Sequence, residues 1–352
     1  MKHLLILALF LASACVSVAD STRLTAATLP QLPAPVSNNA VVSLRSNNND
    51  YVISFAGLGA GRSHTDTLAI TYVLDGKTNR WSEAAPVPGN VGRLAAVAAA
   101  AGELAYVFGG YTVAENGEEY STPWVHAFDP VTGTFEQRQP MPVPVDDAVA
   151  VVYENRFVYL ISGWHDLGNV NLVQRYDTME DSWVQATPIP GRGVFGHAGG
   201  IVGNTIIYCD GVAVAPHADR RREFAANDEC FAGLIDPDDS RRIDWRPIPR
   251  HPGPPRYRMA AGGSDELNAV LFVGGSDNPY NYDGIDYDGE PSQPMSVMLR
   301  FDIGSRSWTT VPTDVGSMDH RALVHFRDAW LTVGGMLAEQ RVTDRVIAYS
   351  LQ

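Results

Sequence analysis

Six polar side chains recur at one point of a repeating pattern, directly before strands that are rich in small residues. They are Asn39, Arg93, Asp147, His197, Arg258 and Arg321. Guanidinium groups pair with carboxylates through two parallel hydrogen bonds, so three converging arginines predict a small carboxylated ligand. Solvated side chains without a ligand are the alternative.

A second polar and aromatic group follows the glycine that ends the next strand of each repeat. Tyr111 and Trp164 offer aromatic faces on which the apolar side of a sugar ring can stack, although packing between repeats accounts equally well for Trp164. Asp277 and Asn278 begin the longest of these loops and can hydrogen-bond to sugar hydroxyls. The acidic residues further along that loop do not have the spacing of a calcium-binding loop, so no metal is predicted.

These residues are positioned by a unit that recurs along the whole chain. An apolar strand ends in glycine six times, at Gly57, Gly110, Gly163, Gly211, Gly275 and Gly335. An aspartate with an aromatic residue six positions later recurs as Asp75–Trp81, Asp129–Phe135, Asp177–Trp183 and Asp302–Trp308. Glycine permits positive φ and close approach of a neighbouring sheet, and the large aromatic residue fills the wedge between two sheets.

Each unit has room for four short strands, and the first strand of each is rich in small side chains. Strands crowded around a shared axis require such side chains, so the pattern predicts an all-β, six-bladed β-propeller. The segment around Leu24 aligns with the segment around Trp81. We therefore expect an N-terminal strand to complete the last blade, with residues 20–352 forming one domain.

The paired glycines, the Phe-Asp or Tyr-Asp dipeptides and the later aromatic residue together resemble the kelch repeat. Gly109-Gly110, Phe128-Asp129 and Phe135 show all three features in one unit. The resemblance implies a propeller fold, and kelch-type propellers include sugar enzymes as well as interaction modules.

An exported kelch chain of this length with self-closing termini is most similar to the bacterial N-acetylneuraminate epimerase family, the sialic-acid mutarotases. That resemblance implies a periplasmic protein that opens and closes an acidic sugar at its anomeric centre. The family's catalytic Glu follows a second-strand glycine of a middle blade, and Val212 stands at that position here. If the family's mechanism is shared, the catalytic proton carriers are expected to be Asp147, His197 or, less directly, Glu229. His197 fits this role best, because a general acid or base works best with a pKa near the working pH.

The central domain of galactose oxidase is a more distant relative by fold. Its copper site uses two His, two Tyr and a Cys, and no such set accompanies Cys209 or Cys230. We therefore predict neither copper nor any other cofactor.

Residues 1–19 have the charge, apolar run and small residues of a secretory signal peptide, which predicts a periplasmic or secreted protein. An alternative is a lipoprotein signal in which Cys15 becomes lipidated and anchors the chain to a membrane. Cys209 and Cys230 then remain as a disulfide candidate in an oxidising compartment or as two buried thiols.

The composition restricts the classes of partner that the protein is expected to bind. A formal net charge of −14 disfavours nucleic acids, and no other stretch has the roughly 20 apolar residues of a transmembrane helix.

Two functions fit the sequence. The first is the binding, with mutarotase-like isomerisation, of a carboxylated sugar such as a sialic acid. The second is a non-catalytic kelch module that holds a protein or glycan through loops 212–229 and 276–294.

Overall fold

The structure, a computed structural model, describes residues 29–89, 91–216, 218–219 and 223–349. The predicted signal peptide, Cys15 and the predicted closing strand around Leu24 lie outside the described residues. None of the helices in the described ranges has the length and apolarity needed to cross a membrane.

Antiparallel strands make up nearly all of the regular structure. In chain order, the first blade contains β1 Ala40–Ser46, β2 Asn49–Leu58, β3 Thr67–Asp75 and β4 Arg80–Glu83. The second contains β5 Val97–Ala101, β6 Leu104–Phe108, β7 Tyr111–Val113, β8 Glu119–Ser121, β9 Val125–Asp129 and β10 Thr134–Gln137. The third contains β11 Val149–Tyr153, β12 Phe157–Ile161, β13 Trp164–His165, β14 Gly168–Asn169, β15 Val173–Asp177 and β16 Ser182–Ala186.

The remaining three blades repeat this plan. The fourth contains β17 Ala198–Val202, β18 Thr205–Cys209, β19 Val212–Ala215, β20 Glu223–Ala226, β21 Cys230–Ile235 and β22 Ile243–Ile248. The fifth contains β23 Ala260–Ser264, β24 Ala269–Val273, β25 Val297–Asp302 and β26 Ser307–Pro312. The sixth contains β27 Val324–Phe326, β28 Ala329–Val333, β29 Met336–Leu337, β30 Arg341–Val342 and β31 Val346–Tyr349. Two 3₁₀ turns, His64–Asp66 and Ala338–Gln340, complete the regular elements.

The blades form a closed ring around the innermost strands. Strands β1, β5, β11, β17, β23 and β27 each contact the next one, and β27 returns to β1. Their small residues permit this crowding: a side chain at Gly263 would collide with the backbone of Ile201 in the neighbouring blade, and one at Gly200 would collide with Gly263. The predicted six-bladed propeller is therefore confirmed.

The hydrophobic core lies between the blades. In the described residues, six buried apolar clusters are each shared by two neighbouring blades, and a seventh gathers residues from the loop end of the ring. Phe55 of one blade, for example, packs edge-on against Phe128 of the next, with ring centroids 5.6 Å apart. Each blade therefore buries its faces only against its neighbours, which makes closure of the ring essential to stability.

The outer-strand tryptophans join consecutive blades by a recurring hydrogen bond. Trp183, Trp245 and Trp308 donate their indole N–H to carbonyls of the segment that follows the preceding blade, at Gln139, Thr187 and Pro249. Trp81 makes the same bond to Pro30 at 2.9 Å. Residues 29–33 therefore occupy, beside the first blade, the place that the post-blade segments occupy elsewhere.

Candidate functional site

The register at one end of the propeller shows which residues are equivalent in the six blades. An isolated bridge joins the residue after each strand-end glycine to the segment before an inner strand. The next residue in that segment has a left-handed conformation in every blade, with φ between 49° and 66°. We call these six residues the mouth ring: Asn38, Ala95, Asp147, Gly196, Arg258 and Asp319.

Main-chain hydrogen bonds close the mouth ring on itself. Each ring N–H from Asn38 to Arg258 donates to the carbonyl of the ring residue in the preceding blade, at N···O distances of 2.8–3.4 Å. The sixth bond, from His320 N–H to the Arg258 carbonyl, is 3.2 Å long. The opening therefore has a backbone frame that is independent of the side chains it carries.

The predicted alignment of six polar residues is wrong at four positions. Only Asp147 and Arg258 belong to the mouth ring. Asn39 and His197 come one residue after the ring position, Arg93 two before it, and Arg321 two after it. The bridge to the residue after each glycine sets which positions are equivalent in the six blades. These equivalent positions do not always carry a polar residue, so polar residues alone do not reveal them.

Two arginines and two aspartates form a buried network across the ring. Arg258 contacts Asp147 at 2.6 Å and Asp319 at 3.2 Å, and Arg321 contacts Asp147 at 2.8 Å and Asp319 at 3.6 Å. Arg321 also donates to the Asn38 amide oxygen at 2.5 Å. All four charged side chains are at most 3% exposed.

This network changes the predicted electrostatics of the mouth. Burial acts to raise the pKa of Asp147, but Arg258 and Arg321 outweigh it and hold that pKa below its usual value. Two positive and two negative charges cancel within the network. Arg258 and Arg321 are therefore not the free guanidinium groups expected to meet a carboxylated ligand, because both already have carboxylate partners.

Asn39 and Arg93 serve the packing between blades. The Asn39 amide donates to the Ser54 hydroxyl at 2.8 Å and to the Val333 carbonyl at 3.3 Å. Arg93 is 1% exposed, donates to the Gly109 carbonyl and lies 5.6 Å from the centre of the Trp124 ring. Burial lowers the pKa of Arg93 to about 10. Neither residue lines the cavity described below.

His197 and Val212 are both buried away from the cavity. The His197 ring packs edge-on against Tyr208 at 5.8 Å, and burial lowers the pKa of His197 to about 4, so the ring is neutral near pH 7. Val212 is fully buried and pairs with Phe195. The geometry therefore does not place His197 where a bound sugar could exchange protons with it.

A cavity of about 240 Å³ opens above the mouth ring. Its walls combine aromatic rings with polar groups, namely Tyr111, Gly117, Glu119, Asp146, Asp147, Trp164, Phe195, Phe224, Arg258, Asn281, Tyr282 and Tyr287. The predicted ligand residues Tyr111, Trp164 and Arg258 thus meet the predicted catalytic residue Asp147 in one cavity. Their shared feature is that each lies on or directly beside the bridge that sets the register.

Asp146 is the most distinctive polar group of this cavity. Burial raises the pKa of Asp146 well above its usual range, and the neighbouring charge of Asp147 adds to the effect. The Ser121 hydroxyl donates to Asp146 at 2.7 Å. Glu119, also in the cavity wall, lies close enough to raise the Asp146 pKa further. A carboxyl group with a raised pKa and a second acidic group therefore share one small space.

Sequence reasoning missed both carboxyl groups. Asp146 and Asp147 both stand before a strand of small residues, and the sequence does not indicate that Asp146 also faces the cavity. Glu119 belongs to the short β7–β8 hairpin. No repeated pattern marks it, because the equivalent hairpins differ in length and sequence between blades.

The other predicted residues line the rim of the opening. Asn278 donates to Asp286 at 3.1 Å and lines an adjoining cavity of about 370 Å³, while Asp277 is exposed and lines neither cavity. The described parts of loops 212–229 and 276–294 contribute Phe224 and Tyr287, whose ring centroids lie 4.3 Å apart. Both loops therefore form part of the cavity wall.

Cys209 and Cys230 are directly opposite each other on β18 and β21. Their sulfur atoms are 2.02 Å apart, which is a disulfide bond. Both side chains are buried, at 0% and 2% exposure. The bond closes the base of the segment that carries the β19–β20 hairpin, and with it Phe224.

Comparison with known proteins agrees with this architecture. Residues 92–142 match the Kelch motif. The fold is that of a kelch-type β-propeller. A 158-residue match to beta-scruin from Limulus polyphemus is 28% identical and covers 44% of this chain but only 16% of beta-scruin. The solved structure of YjhT superimposes with a TM-score of 0.72 at 18% identity, covering 92% of this chain and 97% of its own.

Proposed function

We propose that this protein binds a sugar in the cavity above the mouth ring and promotes exchange between its anomers. The cavity supports this function because it places a buried, protonated carboxyl, Asp146, beside a second acidic group and among aromatic rings. Aromatic faces accommodate the apolar side of a sugar ring, and the polar groups fix its hydroxyls.

Anomer exchange needs one group that donates a proton and one that accepts one. Asp146, protonated because of its burial, would donate to the ring oxygen, while Glu119 would remove the proton of the anomeric hydroxyl. The ring C–O bond then breaks and an open-chain carbonyl forms. Reclosure from the other face of the carbonyl returns both protons and gives the other anomer, so no cofactor is consumed. A carboxyl group with a raised pKa, as at Asp146, suits the role of the acid.

Among the described lining residues, the arginine of the cavity is already paired, which favours a sugar without a carboxylate. A carboxylated sugar such as a sialic acid was expected from the three aligned arginines, of which only Arg258 lines the cavity. Both terminal nitrogens of Arg258 are engaged by Asp147 and Asp319. Binding an anion there would require breaking buried ion pairs, which is costly.

Proton NMR of anomer exchange is the direct test. Glucose, galactose, N-acetylglucosamine and N-acetylneuraminate would each be measured with and without the protein. We expect faster exchange for at least one of the three uncharged sugars. Asp146→Asn should abolish the excess rate while Asp238→Asn, the same change at an exposed site, should leave it unchanged.

The possible results separate binding from catalysis. Acceleration of N-acetylneuraminate alone would overturn the preference for uncharged sugars. Ligand-induced shifts without any acceleration would overturn the isomerase part and support the non-catalytic glycan-binding alternative. If none of the four sugars binds or exchanges faster, the proposal fails entirely.

Trp164→Ala provides an independent test of sugar binding. Trp164 lines the cavity and is only half-buried. Losing a stacking platform of this kind should weaken sugar binding about tenfold, equivalent to roughly 1.4 kcal/mol. Isothermal titration calorimetry would measure the change, and Trp164→Phe should restore part of it. Unchanged affinity in Trp164→Ala would show that this ring is only a packing element.

A further inference from the structure

A short chain of hydrogen bonds links a hairpin of the third blade to Asp146. The Ser121 hydroxyl, at the end of β8, donates to Asp146 Oδ2 at 2.7 Å. The backbone N–H of Asp166, in the turn between β13 and β14, donates to the Ser121 hydroxyl at 3.2 Å. The Ser121 N–H returns a bond to Asp166 Oδ1 at 2.9 Å. Ser121 is therefore held by the neighbouring hairpin while its side chain contacts Asp146.

These bonds fix the direction in which the Ser121 hydroxyl donates. A serine hydroxyl has one hydrogen to donate and two lone pairs that accept. The Asp166 N–H can only donate, so it occupies a lone pair of Ser121 Oγ and leaves the hydroxyl hydrogen for Asp146 Oδ2. The hydrogen is therefore directed at one particular oxygen of the carboxyl group.

The two oxygens of Asp146 are thereby made different. The backbone of Asp146 is held by paired N–H to carbonyl bonds with Trp164, at 3.0 Å and 2.9 Å, and its side chain is only 3% exposed. In a protonated carboxyl group, the carbonyl oxygen is the better acceptor and the other oxygen carries the proton. Because Oδ2 accepts the bond from Ser121, the acid proton of Asp146 belongs on Oδ1.

Ser121 and Asp166 influence the cavity only through this carboxyl group. Asp146 lines the cavity above the mouth ring, whereas Ser121 and Asp166 are not among its described lining residues. Neither residue is therefore placed to contact a ligand in that cavity. Their effect on a bound sugar would be the orientation that they give to Asp146.

We infer that Ser121, held by Asp166, is a positioning residue that assigns Asp146 Oδ1 as the atom from which a bound sugar receives its proton. This inference rests on the proposed anomer exchange and adds a residue that acts through the acid. Since Ser121 and Asp166 belong to hairpins of different blades, the orientation of the acid depends on how these hairpins pack together.

Carbon-13 NMR of the Asp146 carboxyl group tests the hydrogen bond without any sugar. The bond from Ser121 acts to lower the pKa of Asp146, because it stabilises the ionised form. Ser121→Ala should therefore raise that pKa further above the parent value, whereas Ser121→Thr keeps a hydroxyl and should leave it unchanged. Ser305→Ala is the matched control, since Ser305 donates to Asp302 at 2.8 Å in an exposed turn.

Anomer exchange of a sugar that the parent accelerates tests the role in catalysis. Ser121→Ala should lower kcat about tenfold, because the carboxyl group is no longer held in one orientation, and should leave KM within about twofold. The fall in rate at high pH should move to higher pH, following the raised pKa of Asp146. Ser121→Thr should restore kcat, and Ser305→Ala should match the parent.

Asp166 provides a second variant that leaves the Ser121 hydroxyl in place. Asp166→Ala removes the oxygen that accepts the Ser121 N–H, so kcat should fall about threefold as the hairpin contact loosens. Asp166→Asn keeps an acceptor oxygen and should retain the parent rate. Asp238→Ala, at another exposed aspartate, is the control.

The results distinguish this inference from the proposed function. Where the parent accelerates exchange, an unshifted Asp146 pKa or an unchanged kcat in Ser121→Ala would overturn the positioning role and leave the proposed function intact. A loss of kcat that Ser121→Thr does not restore would identify a packing effect and overturn it as well. A parent that accelerates no sugar would overturn the proposed function, and the assignment of Oδ1 as the donor with it.

Discussion

Asp146 and Asp147 are neighbours in the chain, and both are buried, yet their surroundings drive their pKa values apart. Asp147 faces two guanidinium groups, which hold its pKa low. For Asp146, burial and the charge of Asp147 raise the pKa by more than the Ser121 hydrogen bond and Arg258 lower it. One backbone segment thus supplies both a permanent anion for the network and a protonated acid for the cavity.

The raised pKa of Asp146 has a stability consequence with a definite sign. Because the folded state binds the Asp146 proton more tightly than the unfolded state, stability is greatest below the unfolded pKa of about 3.9 and falls as pH rises towards the folded value. Asp146→Asn removes this titration. We therefore expect the variant to match the parent at low pH and to have a higher Tm at pH 8.

Thermal unfolding followed by circular dichroism at pH 4 and pH 8 would measure that difference. Asp238→Asn, at an exposed position, should shift Tm equally at both pH values. A variant Tm at pH 8 that is not above the parent value would contradict a protonated Asp146.

Arg258 is predicted to be the costliest residue of the network to remove. Arg258→Met would leave Asp147 and Asp319 buried with only Arg321 as partner. Breaking a buried ion pair in this way costs about 3–5 kcal/mol. Urea denaturation would measure the loss, with Arg246→Met as the control because its ion pair is on the surface. Equal midpoints for the two variants would contradict a structural role for the network.

At the scale of elements, the site depends on hairpins that leave the second strand of a blade and return to the third. Hairpin β7–β8 supplies Tyr111 and Glu119, and β19–β20 supplies Phe224. These hairpins are additions to a repeated framework, so they can vary without altering the blades. Their anchoring therefore decides how well the cavity keeps its shape.

The disulfide is predicted to anchor the second of these hairpins. It joins residues 21 positions apart, and a loop of this size corresponds to about 3 kcal/mol in the loop-entropy description. Cys209→Ala combined with Cys230→Ala should lower the free energy of unfolding by about that amount. Denaturation with and without dithiothreitol would check it, since only the parent should respond to the reductant. A parent that is insensitive to reduction would contradict the bond's contribution.

At the scale of the whole molecule, the segment before the first inner strand joins the two ends of the ring. Leu32 N–H donates to the Asp344 carbonyl at 2.8 Å, and Gly335 N–H donates to the Val36 carbonyl at 2.8 Å. Leu32 and Val36 are buried in the cluster shared by the first and last blades. Closure is therefore achieved by contacts between residues some 300 positions apart.

Weakening this closure should affect the entire propeller. Leu32→Ala removes a side chain that is 3% exposed, which costs about 2–5 kcal/mol for a buried leucine. Because each blade buries its faces only against its neighbours, we expect one cooperative transition at a lower Tm. Differential scanning calorimetry would show it, with Leu234→Ala as the exposed control. A separate early transition would mean that the ring opens locally without unfolding.

The fold was predictable from the sequence because its requirements recur. A glycine after each second strand and an aromatic residue on the outer strand recur at similar positions in most units. The cavity was less predictable because its residues are not repeated: Glu119 lies on an added hairpin, and the charge balance of Arg258 depends on Asp319, which belongs to the next blade. Pairings between blades carry no local signal.

The mouth ring separates two tasks that proteins often combine. Backbone carbonyl and amide groups set the shape of the ring, whereas the side chains at its six positions set its chemistry. Ala95 and Gly196 contribute no polar group at theirs. Gly196 cannot be exchanged freely, because a Cβ there would lie 2.0 Å from the Tyr257 ring, and Ala95 is fully buried. Of the six ring positions, Asp147 and Arg258 carry the side chains that line the cavity, so a change of selectivity made at the ring would also disturb the buried ion pairs.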